Sequence, residues 1–133
     1  MSNLLIFGLG YTASRLAASA SFLGWEVHAT GSAGGFHFDD VGNVKNGEAI
    51  CASPAQWIGY LSSTGVYGDT RGAWVDESAH IKGRRESRNQ ADRDWQKLSP
   101  KTRVFRLPGI YGPGRSALDR VKQGKAHRID LPN

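Results

Sequence analysis

The sequence predicts an α/β fold built around a parallel sheet, because a strand, a helix and a second strand follow one another at its start. The apolar run LLIFG at residues 4–8 is typical of a strand covered on both faces. The alanine- and leucine-rich segment at residues 11–24 predicts a helix, with Gly24 as its C-terminal stop. WEVHATG at residues 25–31 predicts the second strand. At 133 residues, the chain is expected to form one domain over residues 1–133.

Further strands are predicted from short apolar and aromatic runs, and a further helix from ADRDWQKL at residues 91–98, which Pro100 closes. These strands are expected at residues 36–38, 48–53, 57–63 and 103–109.

Two of the intervals between these strands are too short for a parallel sheet. A parallel neighbour needs a crossover of roughly a dozen residues or more. Only residues 54–56 separate the fourth predicted strand from the fifth, and only a short glycine-rich stretch separates the second from the third. We therefore expect the chain to be incomplete or internally shortened, with helices missing near residues 32–34 and 54–56.

Composition and charge exclude several classes of function. Lys and Arg outnumber Asp and Glu by 17 to 12, a net charge of +5 that could attract a phosphorylated small molecule or a nucleic acid. Nucleic-acid binding is disfavoured because the basic residues are scattered, except at residues 82–88. Cys51 is the only cysteine, which fits a reducing cytoplasm, and no apolar run reaches the ~18 residues that span a bilayer. No metal site is predicted, because the histidines lack ligand spacing: His28, His37, His80 and His127.

The stretch GLGYTA at residues 8–13 has the form G-x-G-x-x-A between a strand and a helix. Gly8 would allow a tight turn, Gly10 a close approach of the backbone to a pyrophosphate, and Ala13 close helix–strand packing. Tyr11 and Thr12 complete this cofactor-binding loop. The pattern predicts a dinucleotide held at the helix N-terminus, as in a Rossmann-type doubly wound sheet; the alternative is a glycine turn with no ligand.

The end of the second strand bears on the choice of cofactor. An acidic residue there would bind the ribose 2′-hydroxyl and repel a 2′-phosphate. The strand ends instead in Ala29, Thr30, Gly31 and Ser32, without a carboxylate. This favours NADP over NAD, with Thr30 and Ser32 among the cofactor-binding residues.

The glycine loop, YLSSTGVYGD at residues 60–69 and RLPGIYGPGR at residues 106–115 together resemble the extended short-chain dehydrogenase/reductase superfamily. The closest likeness is to its atypical NAD(P)-dependent epimerase/dehydratase-like proteins. The resemblance implies that the Ser63 hydroxyl binds the reacting oxygen of the substrate, and that the adjacent Ser62 is one of the cofactor-binding residues. The alternative is that these hydroxyls only satisfy backbone groups at the strand end.

The resemblance also implies further cofactor contacts. Relatives use positions that match Pro108 and Gly109 for the nicotinamide end of the cofactor, and Asp39 for the adenine. The remaining predicted contacts lie at the end of the fourth strand: Ala52, Ser53 and Pro54.

The chain departs from the superfamily at the Tyr-x-x-x-Lys pair that exchanges a proton with the substrate. Aligning on QADRDW places Arg84 and Arg88 at these two positions, which would share a helix face. A guanidinium stays protonated and cannot cycle as acid and base, but two of them could bind an anion. The alternative is a solvated basic face.

Three functions follow from the sequence. The first is an NAD(P)-binding protein that resembles nucleoside-diphosphate-sugar epimerases, dehydratases and reductases, with residual redox chemistry on an anionic small molecule. Ser63 would then orient the substrate while Arg84 and Arg88 hold its charge. The second is a non-catalytic protein that senses the dinucleotide or acts as a scaffold. The third, nucleic-acid binding, rests on net charge alone. The resemblance further implies a homodimer, and a C-terminal substrate-binding segment that this chain lacks.

Overall fold

The computed structural model describes residues 2–30 and 50–127. Strand β1 spans Asn3–Phe7, helix α1 spans Tyr11–Phe22 and strand β2 spans Glu26–Thr30. The two strands pair in parallel, with Asn3 opposite Glu26 and Phe7 opposite Thr30. The predicted strand–helix–strand unit is therefore confirmed, although the helix ends two residues before Gly24.

A second strand–helix–strand unit follows later in the chain. Strand β3 spans Ile58–Ser63 and continues into a short 3₁₀ helix over Thr64–Tyr67. Helix α2 spans Glu86–Leu98, which is longer than the predicted segment at residues 91–98. Strand β4 spans Thr102–Leu107 and pairs in parallel with β3, and helix α3 spans Ala117–Lys122.

The strands of the described segments thus form two parallel pairs, β1–β2 and β3–β4, and no ladder joins one pair to the other there. The α/β class and the parallel strand direction are confirmed. A continuous doubly wound sheet stays a prediction.

The strand predicted at residues 48–53 is wrong where the structure describes it, because residues 50–52 are helical. The Ser53 hydroxyl donates to the Ile50 carbonyl at 2.6 Å, and the Ser53 amide donates to the same oxygen at 3.2 Å. These local bonds close a helical turn in place of a strand ladder. The strand predicted at residues 36–38 and the interval at residues 32–34 lie outside the described residues.

The best-packed part of the core lies between α2 and the β3–β4 pair. Val66, Ile58 and Trp95 are buried there, and Trp95 stacks on Tyr60 with ring centroids 5.2 Å apart. Apolar burial of this kind is the main stabilising contribution to such a layer. The opposite face of the pair is more open, with Trp57 and Phe105 about half exposed.

Within residues 2–30 and 50–127, every helix is too short or too polar to cross a lipid bilayer.

Candidate functional site

The glycine loop forms a tight connection between β1 and α1. Gly8 has φ of 88°, in the region that favours glycine, and its amide donates to both oxygens of Thr30, Oγ1 at 3.1 Å and the carbonyl at 3.2 Å. Leu9 donates to the same Thr30 carbonyl at 3.0 Å. Ala13 is buried, as close packing of the helix requires. The loop is thus fixed against the end of β2.

Gly10 is the N-cap of α1 and leaves the helix N-terminus open to a ligand. A Cβ built on Gly10 would meet no atom of the described residues within 4 Å. Gly10 has no side chain to accept from the first-turn amides, and that turn, Tyr11–Ser14, contains no acidic residue. Because the first amides of a helix lack intrahelical acceptors and carry partial positive charge, this end attracts an anion.

The other cofactor-binding residues predicted near the glycine loop are only partly described by the structure. Thr12 has a buried hydroxyl without a hydrogen-bond partner in the described part of the chain. Thr30 ends β2, where its hydroxyl accepts from Gly8 and so braces the glycine loop. Ser32 and Asp39 lie outside the described residues.

The glycine loop contacts the loop that follows β4. The Tyr11 hydroxyl donates to the Pro113 carbonyl at 3.1 Å, across 102 positions of sequence. Because Tyr11 follows the carboxyl end of β1, and Pro113 follows that of β4, the two loops meet at one edge of the fold. Such an edge is where open α/β sheets bind ligands.

Ser63 lies at the carboxyl end of β3, opposite Leu107 in the parallel register. Its position brings it beside Pro108 and Gly109, which follow β4 and are exposed. The Ser63 hydroxyl accepts from the Gly65 amide at 3.1 Å and so caps the 3₁₀ helix. A hydroxyl that accepts here still has its own hydrogen to donate.

Ser62 was expected among the cofactor-binding residues, but it points to the other face of β3 and belongs to a buried polar network around Asp92. Its hydroxyl donates to Asp92 Oδ2 at 2.5 Å, and Gln96 donates to Asp92 Oδ1 at 2.7 Å. Arg106 on β4 donates to both Asp92 oxygens, at 2.8 Å from Nη2 and 3.2 Å from Nε. The Asp92 side chain is fully buried and that of Arg106 is 10% exposed.

The electrostatics of this network favour a charged pair. Desolvation opposes ionisation of Asp92, but hydrogen bonds from Arg106 and Ser62 and the Arg106 charge together hold the pKa of Asp92 below its usual value. The hydrogen bonds to Asp92 likewise raise the pKa of Arg106. Arg106 also donates from Nη1 to the Tyr67 hydroxyl at 3.0 Å and to the Glu77 carbonyl at 3.1 Å. The network therefore ties both strands, α2 and the turn after β3 together.

Tyr67 is a packing residue in this arrangement. It is buried, and the Arg106 guanidinium lies 5.0 Å from its ring centroid. Its hydroxyl accepts from the same guanidinium.

The expectation that Arg84 and Arg88 share a helix face is wrong. Helix α2 begins at Glu86 with Arg85 as its N-cap, so Arg84 precedes the helix. The amides of Lys82 and Gly83 both donate to the Val66 carbonyl, at 2.9 and 2.8 Å, which holds this segment against the core. Helix α2 therefore begins after this attached segment.

Arg88 lies on α2 close to Tyr60. Burial raises the pKa of the Tyr60 phenol, the Asp92 charge raises it further and the Arg88 charge opposes the rise. Arg84 and Arg88 are both exposed. Arg84 and Arg88 are thus separate exposed cations near the start of α2 and do not form a pair on one helix face.

Residues 52–54 were expected at the end of a strand, and this expectation fails for the same reason as the strand itself. Ala52 ends the helical turn, Ser53 bonds back to Ile50, and Pro54 is exposed. The structure does not place them on a strand end beside β1.

Sequence reasoning missed two features of the site. The Asp92–Arg106 pair joins helix α2 to strand β4. The only sign of it in the sequence was Asp92 itself, one carboxylate in a helix that is mostly polar. The contact between Tyr11 and Pro113 joins two motifs that were already recognised, but a contact across 102 positions leaves no periodic signal.

Comparison with known proteins connects this fold to two solved structures. A functionally unknown conserved protein from Silicibacter pomeroyi is 31% identical over 86% of this chain, with a TM-score of 0.69. A structure described as a candidate NAD-dependent epimerase/dehydratase from Methylobacillus flagellatus is 24% identical over 92% of this chain, with a TM-score of 0.67.

This chain spans 56% of the first structure and 59% of the second. No protein-family model matches the chain, and no curated protein matches it. The likeness therefore establishes a mixed α/β fold shared with an epimerase/dehydratase-like structure.

Proposed function

We propose that residues 1–133 form an NAD(P)-binding domain of the atypical extended short-chain dehydrogenase/reductase type. The observation that carries this proposal is the open glycine loop at Gly8–Ala13, which caps α1 without a side chain and faces the loop after β4. The α/β fold shared with a structure described as a candidate NAD-dependent epimerase/dehydratase supports it.

The loop fits the pyrophosphate of a dinucleotide on physical grounds. The first-turn amides of α1 offer hydrogen-bond donors, and the space at Gly10 admits a ligand oxygen. Pro108 and Gly109 would line the nicotinamide end, beside Ser63. The absence of a carboxylate at the end of β2, which finishes at Thr30, favours NADP over NAD.

When bound, the nicotinamide would supply hydride transfer. Ser63 would donate its remaining hydroxyl hydrogen to a substrate oxygen, while its own oxygen stays bonded to the Gly65 amide. Arg84 and Arg88 would attract an anionic small molecule from two separate positions. The sequence has no tyrosine between Tyr67 and Tyr111, so none stands at the usual proton-transfer position.

The second candidate is a non-catalytic sensor or scaffold, and the position of Tyr67, the tyrosine of the stretch YLSSTGVYGD, favours it. Tyr67 is buried and packs under the Arg106 guanidinium, which also donates to its hydroxyl, so its contacts are those of a structural residue. General acid–base catalysis typically increases a reaction rate ~10²–10⁴-fold. A protein that only senses the dinucleotide does not need this increase. A substrate-dependent change in nicotinamide absorbance would establish the first candidate; dinucleotide binding without turnover would establish the second.

Dinucleotide binding is tested by titrating the purified protein with NADPH and with NADH, following tryptophan fluorescence. Gly10→Asp is the informative variant. Gly10 has φ of −80°, so an aspartate fits the backbone, and aspartate is a better N-cap than glycine by a few tenths of a kcal/mol.

Gly10→Asp should therefore fold at least as stably as the wild type, yet bind NADPH about tenfold more weakly or worse, because its carboxylate competes for the amides and repels phosphate. Gly10→Asn is the matched control, since it has the same size without the charge, and it should retain more affinity. Equal affinity in the wild type and in Gly10→Asp would refute the site.

A further inference from the structure

Two arginines meet at one tyrosine ring beside the glycine loop. Arg15, one turn further along α1, has its guanidinium carbon 5.4 Å from the centroid of the Tyr11 ring. Arg115, from the loop after β4, lies 5.6 Å from the same centroid. Among residues 2–30 and 50–127, neither arginine forms an ion pair with a carboxylate, and both are exposed.

The fold itself gives little reason for this cluster. A cation–π contact at an exposed site contributes ~0.5–1 kcal/mol, and two like charges that contact one ring do not stabilise each other. An anion that both guanidinium groups reach would add attraction to each of them. Guanidinium groups suit phosphate in particular, because their planar donors match its oxygens in pairs.

The position of Arg115 is fixed by a short, well-bonded loop. Gly112 and Arg115 exchange backbone hydrogen bonds at 3.2 and 2.9 Å, and the Pro113 carbonyl accepts from Tyr11. Gly112 has φ of 155°, and a Cβ there would collide with the Tyr11 hydroxyl. The loop therefore approaches Tyr11 closely only because residue 112 is glycine.

The cluster lies at the N-terminal end of α1. Tyr11 directly follows the N-cap Gly10, so the ring that both arginines contact belongs to the first turn of α1. The two guanidinium groups thus add full positive charges to the partial charge of the helix N-terminus.

We propose that Arg15 and Arg115, positioned by Tyr11, form a clamp that binds a phosphoryl group across the entrance of the glycine loop. The proposal rests on the proposed function, because the glycine loop is taken to hold a dinucleotide. The phosphoryl group belongs either to that dinucleotide or to a second phosphorylated ligand that binds beside it.

The test measures binding of inorganic pyrophosphate and of NADPH by calorimetry. In Arg115→Ala, the affinity for pyrophosphate should fall about tenfold or more, since a charge-assisted hydrogen bond is removed. Arg115→Lys keeps the charge without the paired donors and should show an intermediate loss. The matched control is Arg120→Ala, which removes the same charge from an exposed position of α3 and should change the affinity less than twofold.

Tyr11 is tested as a positioning residue. Tyr11→Phe keeps the ring and loses only the hydrogen bond to Pro113, so it should bind pyrophosphate better than Tyr11→Leu, which loses both. Equal affinity of these two variants would contradict the role of the ring.

The two sources of the phosphoryl group give different results. If Arg115→Ala weakens NADPH as much as pyrophosphate, the clamp binds the dinucleotide. If NADPH is unaffected, and pyrophosphate binds the NADPH-saturated wild type but not the saturated variant, the clamp binds a second ligand. The clamp would be overturned if Arg115→Ala bound pyrophosphate and NADPH as tightly as Arg120→Ala does. Arg115-dependent pyrophosphate binding in a wild type that binds neither NADPH nor NADH would support the clamp and refute the dinucleotide proposal.

Discussion

Replacing Asp92 by asparagine tests the buried network that holds the carboxyl ends of β3 and β4 in place. Asparagine preserves the shape of Asp92 but removes its charge, so the Arg106 guanidinium loses its counter-ion. The two side chains are 0% and 10% exposed, and Arg106 reaches both carboxylate oxygens. Little water can therefore replace the lost partner.

The expected loss is about 3–5 kcal/mol, the usual cost of removing one partner from a buried ion pair. That is a large part of the ~5–15 kcal/mol that stabilises a typical domain. The cost should fall in a double variant, Asp92→Leu with Arg106→Met, because no buried charge is then left unpaired.

The assay is urea unfolding followed by tryptophan fluorescence, since Trp95 is packed one turn from Asp92 on α2. Glu86→Gln is the matched control on the same helix. Its partner Arg93 is at 2.9 Å, but the Glu86 side chain is 74% exposed, so the loss should be much smaller. If Asp92→Asn lost no more stability than Glu86→Gln, or if the double variant were the least stable, the reasoning would be refuted.

Three further predictions concern the same region. Because the pKa of Asp92 is lowered on folding, its contribution to stability is present above about pH 4 and is lost as the pH falls through the folded value; urea midpoints should therefore drop more steeply with acid in the wild type than in Asp92→Asn. Trp95→Ala should lose about 3–5 kcal/mol of unfolding free energy, because a side chain that is 4% exposed leaves a cavity against Tyr60, and a loss near zero in urea unfolding would contradict this packing. Ser63→Ala should cost about 1 kcal/mol through its lost cap to Gly65 while leaving NADPH affinity unchanged; a tenfold loss of affinity in the fluorescence titration would instead place Ser63 on the cofactor.

The sequence predicted those parts of the fold that depend on local pattern. The apolar run before Gly8 and the helix after it were recognisable because each has its own periodicity and stop signals. The segment at residues 48–53 was misjudged because a short apolar run fits a strand or a buried helical turn equally well, and the hydroxyl of Ser53 decided between them. Helix α2 was predicted five residues too short, since its start is fixed by hydrogen bonds from residues 82 and 83 to Val66.

The candidate site shows the same difference between features set by local pattern and features set by tertiary contacts. The glycine loop was predicted in detail, because a tight turn before a helix requires particular residues at particular spacings. The position of Arg84 was wrong, because an alignment transfers spacing but not the tertiary contact that sets where a helix begins. The contact between the Tyr11 hydroxyl and the Pro113 carbonyl, at 3.1 Å, could not be predicted, because neither motif specifies which loop it contacts.

These differences bear on what the protein does with its ligand. The features that support the proposed function are those that would bind a ligand: the open cap at Gly10, the braced turn at Gly8 and the close approach of Pro113. Arg84, which the sequence alignment placed at the proton-exchanging position, precedes helix α2. Binding and proton transfer make separable demands, since an anion site needs only charge and open amides, whereas proton exchange needs a group that titrates near neutral pH. Under the proposed function, the open amides at Gly10 meet the first demand, whereas the guanidinium of Arg84 does not meet the second.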